Sequence, residues 1–387
     1  MIRTLALFLA FSLPAAAQVA QGPKNVPEFS PAFENQTRAP EIQSREAFRV
    51  TRISGGLEHP WGLAILPDGS YLVTERPGRL NHISPGGEVT EIGGLPEIAV
   101  RGQGGLLDVA VPDDFATSRQ VFLTFARPTR RSFATAAITA TLSDDNRQLT
   151  GVRDIFEQRP PVNSGQHFGS RIVLDGPHVY ITIGDRGTPE TAQNLRATIG
   201  KVVRVRTDGT VPGSNPFAQD GNALNEIWSY GHRNPQGAAL HPRTGALWTL
   251  EHGPRGGDEL NLIEEGANYG WPRISYGENY NGRPVTQGET TGPGLKQPQY
   301  YWDPVIAPGD FTFYYGDLFM GWQGDVIAAS LRPGGLVRLT LDGDRVTGEA
   351  RYLGELGRVR DVDVDRDGSL LVLTDDPNGG LYRIVPR

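Results

Sequence analysis

Three stretches of the chain gather side chains able to do acid–base or electrostatic chemistry. The first, 251–262, reads EHGPRGGDELNL and follows directly on the strand-like run ALWTL. Turn geometry alone would call for Gly, Pro and Asp there; it does not call for Glu251, His252, Arg255, Asp258 and Glu259 together. Carbonyls from Gly253 and Pro254, with the carboxylates of Asp258 and Glu259, make a hard-oxygen set suited to Ca²⁺. His252 would serve that ion poorly, and no His/Cys spacing here suggests zinc. The same residues also fit an ordinary charged hairpin loop. The second stretch, SGQHFGSRIVLDGPHVYITIGDRG, places His167 at the entrance of one strand and Asp185 at the exit of its partner. A hairpin between them would bring imidazole and carboxylate side by side, as a general base and its orienting acid require. A turn histidine and a capping aspartate would look the same in sequence. The third, YGHRNPQG, sets Arg233 and Asn234 before a proline, where the backbone extends or turns rather than continuing a helix. An arginine there offers a permanently charged fork of donors. Arg332, Arg358 and Arg360 occupy comparable places in later segments, so a basic pocket for a polyanionic ligand stands against four unrelated surface arginines.

One motif is set aside. DVDRDG (363–368) matches the start of an EF-hand loop, but Thr374 stands where the closing bidentate Glu belongs, and the acids alternate with valine as in a strand entering a turn. His59, His82, His178, His232 and His241 have no evident carboxylate partner in sequence, and structural roles are expected for them. No nucleophile elbow, P-loop or dinucleotide fingerprint is present.

The elements that must position these residues repeat. A short apolar strand, a turn of Asp, Gly and Pro, and a second apolar strand recur as GLAILPDGSYLVTE, LLDVAVPDDFATSRQVFLTFA, SRIVLDGPHVYITIGD, GAALHPRTGALWTLEH, DLFMGWQGDVIAASL and VRDVDVDRDGSLLVLTD. Further strands follow most of them, such as GRLNHIS, AAITATL, KVVRVRT, GLVRLTL and GLYRIVP. Six units of about four strands each predict an all-β fold, a six-bladed β-propeller of four-stranded antiparallel blades, with a long loop over 268–310. Ligands of such a ring sit on the axis, where equivalent loops of different blades converge.

Composition narrows the rest. Residues 1–17 read as a secretory signal peptide, with a charged start, an apolar run from Leu5 to Leu13 and an A-x-A site, so a periplasmic or secreted protein is expected. Residues 18–45 form a Pro-rich extended arm, and 46–387 the propeller domain. The absence of cysteine excludes disulfides and thiolate chemistry. The net charge of -7 argues against nucleic acid as a partner, and no later run is apolar enough for membrane insertion.

Taken together, GQGGLLDVAVPDDF, the QHFGSRIVL…YITIGDRG hairpin, GHRNPQGAALHP, EHGPRGGDELNLIEEGANYGWP and RVRDV resemble the soluble pyrroloquinoline quinone (PQQ)-dependent aldose sugar and glucose dehydrogenases over nearly the whole chain after Arg49. That resemblance implies a six-bladed propeller, PQQ and Ca²⁺ as cofactors, an aldose sugar as substrate, an external electron acceptor, and a monomer or homodimer. It implies His167 as general base oriented by Asp185, Arg233 on the quinone carbonyls, Asn234 and Gln103 beside them, and Arg358 with Arg360 on the cofactor carboxylates. The Gly253 and Pro254 carbonyls would hold the cofactor's calcium. Glu259 and the Tyr269 carbonyl, with Asp258, would hold a second calcium. Arg332 stands where relatives carry lysine, and Tyr280 and Trp302 are candidate pocket aromatics. A calcium-dependent lactonase-type propeller and a non-enzymatic extracellular binding propeller are the competing readings; neither needs the arginine set.

Overall fold

The computed structural model describes residues 17–43 and 46–387. The expected signal segment therefore lies, but for Ala17, outside the described residues. Six four-stranded antiparallel sheets form a β-propeller. The innermost strands are Pro60–Ile65, Leu106–Ala110, Ile172–Asp175, Pro235–Leu240, Pro308–Phe313 and Val359–Val364, one for each of blades one to six. The ring closes through Phe48–Leu57, which pairs antiparallel with Gly379–Pro386 as the outermost strand of blade six. No helix among the described residues is long and apolar enough to cross a membrane.

Each sheet is apolar on both faces because it is sandwiched between its neighbours; Leu72, Leu123, Ile181, Leu250, Ala328 and Val372 of the second strands are fully buried. Polar side chains stitch the inner strands together where bulges interrupt the ladder. Asp108 of blade two accepts the Ile172 N–H of blade three at 2.8 Å. Asp310 of blade five accepts the Ala238 N–H of blade four at 3.1 Å, and Asp361 of blade six accepts the Leu63 N–H of blade one at 3.0 Å. A recurrent threonine of the second strand does a related job: Thr124 donates to Ser170 O at 2.6 Å and Thr182 to Pro235 O at 2.8 Å, each reaching the chain that enters the next blade. Arg171 sits on the axis, its Nη1 2.7 Å from Asp108 Oδ1, 3.1 Å from Asp310 Oδ2 and 3.1 Å from Asp361 Oδ2. A buried charge needs such partners.

Two expectations are corrected. DLFMGWQGDVIAASL is not a hairpin: Val326–Ser330 pairs instead with Pro308–Phe313, and 317–322 is turn. The exposed Leu318 and Met320 mimic strand residues without packing as such. The expected long loop over 268–310 therefore contains the fourth strand of blade four, Tyr300–Trp302, and the start of blade five. The arm docks along blades four and five: Asn25 N and Nδ2 donate to Asp303 Oδ1 at 2.8 and 2.7 Å, and Ala39 N donates to the Tyr300 hydroxyl at 3.0 Å.

Candidate active site

In an antiparallel blade the start of the first strand and the end of the second lie at one rim. His59, Gln103, His167, Arg233 and Arg358 precede or enter inner strands, while Arg76, His252, Leu331 and Asp375 follow second strands. All of them line one cavity of about 440 Å³ at the propeller mouth. His59, His167 and Ala307, all in its wall, have left-handed backbones, with φ of 48°, 51° and 46°. Such strain persists in non-glycine residues only where the surroundings enforce it, and it concentrates at functional sites.

His167 and Asp185 meet as the hairpin requires. The His167 Nδ1–H donates to Asp185 Oδ1 at 2.6 Å, because a carboxylate can only accept, and Nε2 is left as the ring nitrogen able to take a proton. Asp185 is almost fully buried and held on all sides: Oδ1 also accepts the Gly187 N–H at 2.8 Å, and Oδ2 accepts the Trp271 indole N–H at 2.8 Å. Burial would raise this carboxyl, but the His167 hydrogen bond and the charges of His167 and Arg233 outweigh it and leave the pKa below its ordinary value. Gln103 Oε1 accepts the His167 backbone N–H at 2.7 Å, fixing the loop that carries the imidazole.

Arg233 is positioned by Glu251, whose Oε2 accepts its backbone N–H at 2.7 Å, and by the His252 carbonyl, which accepts from Nη1 at 3.1 Å. Its guanidinium lies 5.3 Å from the Trp271 ring centre, and its Nε is buried without a partner among the described residues. Asn234 Oδ1 accepts the Gly169 N–H at 3.0 Å. From blade six Arg358 and Arg360 both donate to Asp375 Oδ2, at 2.9 and 2.7 Å, and Arg360 also reaches Gln236 Oε1 at 2.8 Å. Burial pushes Asp375 up, yet Arg360, His59 and Arg358 overcome it and hold the carboxyl well below the usual range. The Arg360 Nε is likewise buried and unpartnered among the described residues. Burial, then the charges of Arg360, Arg233 and His167, depress His252 well below the ordinary histidine value, so it is neutral. It faces Gln236 Oε1 at 2.9 Å.

The stretch EHGPRGGDELNL is not one loop. Glu251 ends a strand, Asp258–Leu262 is the next, and only 252–257 turns between them. Gly253 lines the main cavity, and neither its carbonyl nor that of Pro254 takes a hydrogen bond from a described residue. Asp258 accepts the Gly253 N–H at 2.8 Å and the Ala307 N–H at 2.7 Å, so both its oxygens brace that turn against blade five; burial raises it to about 7. Glu259 and Tyr269 share a small pocket with Glu251 and Arg233, with about 10 Å³ free, room for one water-sized occupant. Among the described residues no three His, Cys, Asp or Glu side chains converge as a metal site, so a cation in either place would need main-chain carbonyls among its ligands.

Arg332 falls outside the cluster, and Tyr280 stands at its edge. Arg332 lines a neighbouring groove and not the cavity of His167, while Tyr280, 77 % exposed, stands on the rim between the two. Trp302 is buried in the core of blades four and five. Two of the histidines expected to lack carboxylate partners have them: His59 Nδ1 pairs with Asp375 Oδ1 at 2.9 Å, and His232 Nδ1 with Glu251 Oε1 at 3.0 Å. Trp271 and Asp375 were not expected in the site. Trp271 lay within the motif GANYGWP, but nothing local ties it to Asp185.

The same chain matches, over residues 57–383, the family model described as glucose/sorbosone dehydrogenase. It is 42 % identical over 338 residues to the aldose sugar dehydrogenase YliI of Escherichia coli K12, covering 86 % of this chain and 91 % of that protein. Among solved structures it is similar to the apo-form of the soluble aldose sugar dehydrogenase from Escherichia coli, with a TM-score of 0.86 at 39 % identity, covering 88 % of this chain and all of that one. It is also similar to the PQQ-bound aldose sugar dehydrogenase from Streptomyces coelicolor, with a TM-score of 0.73 at 26 % identity, covering 88 % and 99 % of the two chains. The chain belongs to the glucose/sorbosone dehydrogenase family.

Proposed function

We propose that this protein is an exported aldose sugar dehydrogenase that oxidises a sugar at its anomeric carbon to the aldonolactone, with PQQ and Ca²⁺ as cofactors. The observation that carries the reading is the buried relay Trp271–Asp185–His167 facing a cavity whose other walls present Arg233, Arg358 and Arg360. Two of those guanidinium groups keep a buried, unpartnered Nε, which suits a polycarboxylate quinone. The unclaimed carbonyls of Gly253 and Pro254 suit a hard cation beside it. The relatives named for aldose sugar oxidation, one of them PQQ-bound, agree with this chemistry.

When bound, the quinone supplies the two-electron acceptor for the anomeric hydride, and calcium polarises it. His167 Nε2 takes the proton of the anomeric hydroxyl. Asp185 holds the tautomer that leaves Nε2 free and stabilises the imidazolium that forms. Trp271 and Gly187 keep Asp185 ionised and aimed, and Gln103 holds the backbone of the base. Arg358 and Arg360 would hold the cofactor's carboxylates, and Arg233 its carbonyl edge.

The test is His167→Ala in protein reconstituted with PQQ and Ca²⁺, assayed by glucose-dependent dye reduction. Quinone binding, read from its absorbance, is expected to survive while turnover falls by roughly two to four powers of ten. Near-normal turnover in that variant sinks the assignment of the base. Absence of dye reduction by the wild-type holoenzyme with any aldose sinks the function itself.

A further inference from the structure

Three segments that carry residues of the site are tied together outside the cavity. Asp185 opens the segment that runs into the short 3₁₀ turn Pro189–Gln193. Arg233 follows Gly231 at the entrance of blade four, and Trp271 lies in the loop after that blade's third strand. Gln193 joins the first segment to the third. Its Nε2 donates to the Trp271 carbonyl at 2.7 Å and to Asn268 Oδ1 at 3.0 Å, and Asn268 Nδ2 donates back to Gln193 Oε1 at 2.8 Å. Asn268 Oδ1 also accepts the Gly270 N–H at 2.9 Å. The second segment runs between them: the Gly231 N–H donates to the Ala192 carbonyl at 3.1 Å, and the Trp271 N–H donates to the Gly231 carbonyl at 2.9 Å. A β-carbon at 231 would lie 2.3 Å from Asn268 Oδ1 and 2.9 Å from Gln193 Nε2, so this close approach needs glycine, with φ of 77°. The turn itself is anchored by buried Lys201, whose Nζ donates to the carbonyls of Thr191, Ala192 and Ile199 at 3.2, 2.8 and 2.7 Å.

Resting on the aldose reading above, we infer that Gln193 and Asn268 are positioning residues of the reaction: their paired amides set Trp271, and through it Asp185 and the general base His167. Neither amide lines the cavity of His167, so neither touches substrate or cofactor. Their effect passes through one contact, the Trp271 indole N–H on Asp185 Oδ2 at 2.8 Å. Trp271 stands in a loop, without a strand ladder of its own to fix the direction of its side chain. The amide clasp takes the place of that ladder. It grips the loop at Asn268 and at the Trp271 carbonyl, and it holds both against the turn that begins at Asp185. The indole and the carboxylate it must meet are thereby referred to one frame. A catalytic group keeps its geometry to within about half an ångström only when supporting hydrogen bonds lock the side chains around it. Asparagine and glutamine suit the task, because each amide both donates and accepts and the pair can satisfy itself without a charge.

The experiment is a double-mutant cycle of Gln193→Met with Trp271→Phe on the holoenzyme reconstituted with PQQ and Ca²⁺, read by dye-linked glucose oxidation at saturating quinone. Methionine is as long as glutamine and has no N–H to donate. Gln193→Met acts only by misplacing the indole, so it can cost no more than losing the indole N–H does. A fall in kcat of about fivefold is expected, with the glucose KM changed by less than about twofold. In the Trp271→Phe background no indole N–H is left to misplace, and the same substitution should change kcat by less than about twofold. A clasp that serves the fold alone would cost as much in both backgrounds. That result, or an unchanged kcat in Gln193→Met, would overturn the inference. The Trp271 indole N–H proton resonance, assigned by its disappearance in Trp271→Phe, reads the contact without turnover. It is expected to move upfield and exchange faster with solvent in Gln193→Met, and an unmoved resonance refutes the inference. Asn268→Ala should move it in the same way, and it replaces Gln193→Met in both readouts if that variant does not fold. If the wild-type holoenzyme oxidises no aldose at all, it is the functional reading that fails, while the indole resonance still tests the clasp.

Discussion

Asp185→Asn is the perturbation whose outcome the structure specifies most tightly. Asp185 accepts three hydrogen bonds: His167 Nδ1–H and Gly187 N–H on Oδ1, and the Trp271 indole N–H on Oδ2. An asparagine cannot accept all three. With its oxygen in the Oδ1 place, its NH₂ confronts the Trp271 N–H. With its oxygen in the Oδ2 place, the NH₂ confronts Gly187 and forces His167 Nδ1 to become an acceptor, which puts the imidazole proton on Nε2 and removes the base. Replacing a charge-assisted hydrogen bond by a neutral one loses about 1–2 kcal/mol, and leaving a buried donor opposed adds about 1–3 kcal/mol. Together these predict a fall in kcat of about one and a half to four powers of ten.

The same geometry predicts an unusual double mutant. Trp271→Phe alone keeps the ring beside Arg233 and removes only the donor to Oδ2, so a loss of at most about tenfold is expected. In Trp271→Phe/Asp185→Asn the opposing indole N–H is gone, so the asparagine oxygen can return to the Oδ1 place and hold the productive tautomer. The double variant should therefore turn over about tenfold faster than Asp185→Asn, the reverse of additive behaviour. Dye-linked glucose oxidation at saturating PQQ and Ca²⁺, with quinone affinity measured separately by absorbance, reads the cycle. If the double variant is as slow as Asp185→Asn or slower, Trp271 does not act through Asp185 and the relay is wrong.

Other expectations follow from the Arg358–Arg360 pair and from Arg171. Arg358→Ala with Arg360→Ala should weaken quinone binding by one to two powers of ten, and an unchanged affinity in an absorbance titration would remove both from the cofactor site. Arg171→Leu leaves Asp108, Asp310 and Asp361 facing one another on the axis, at a cost of about 3–5 kcal/mol in urea unfolding at neutral pH. That cost depends on pH. Burial raises Asp108 to about 7, and an acid raised in the folded state stabilises the fold at low pH and stops doing so as pH climbs through its folded pKa. The deficit of Arg171→Leu should thus be smaller at pH 5 than at pH 8; a deficit independent of pH would show that the axial carboxylates are not its cause.

How much of this was legible in the sequence follows from how far apart the partners lie. Alternation and turn residues sufficed for the blades because a hairpin is local. They failed at 317–322, where apolar residues exposed on a turn imitate a strand. His167 and Asp185 were readable because they flank one hairpin. His59 was not, because its carboxylate, Asp375, is 316 residues away, and only the closing of the ring brings blade six against blade one. Trp271 likewise reaches Asp185 across 86 residues, from a loop whose path no local pattern determines.

Two of the charges of EHGPRGGDELNL, Glu251 and Asp258, serve as a frame. Glu251 carries the backbone of Arg233 and the ring of His232, and Asp258 ties the 252–257 turn to blade five. A carboxylate spent on backbone N–H groups fixes main-chain carbonyls in place without presenting itself to a ligand. The residues of that stretch facing the cavity are Gly253 and a neutral His252, and the positive charge beside them comes from Arg233 of the same blade and from Arg358 and Arg360 of blade six. In this ring Glu251 and Asp258 brace the backbone around the cavity, and the reacting surface is assembled across several blades, with His167 from blade three, Arg233 from blade four and Arg358 and Arg360 from blade six.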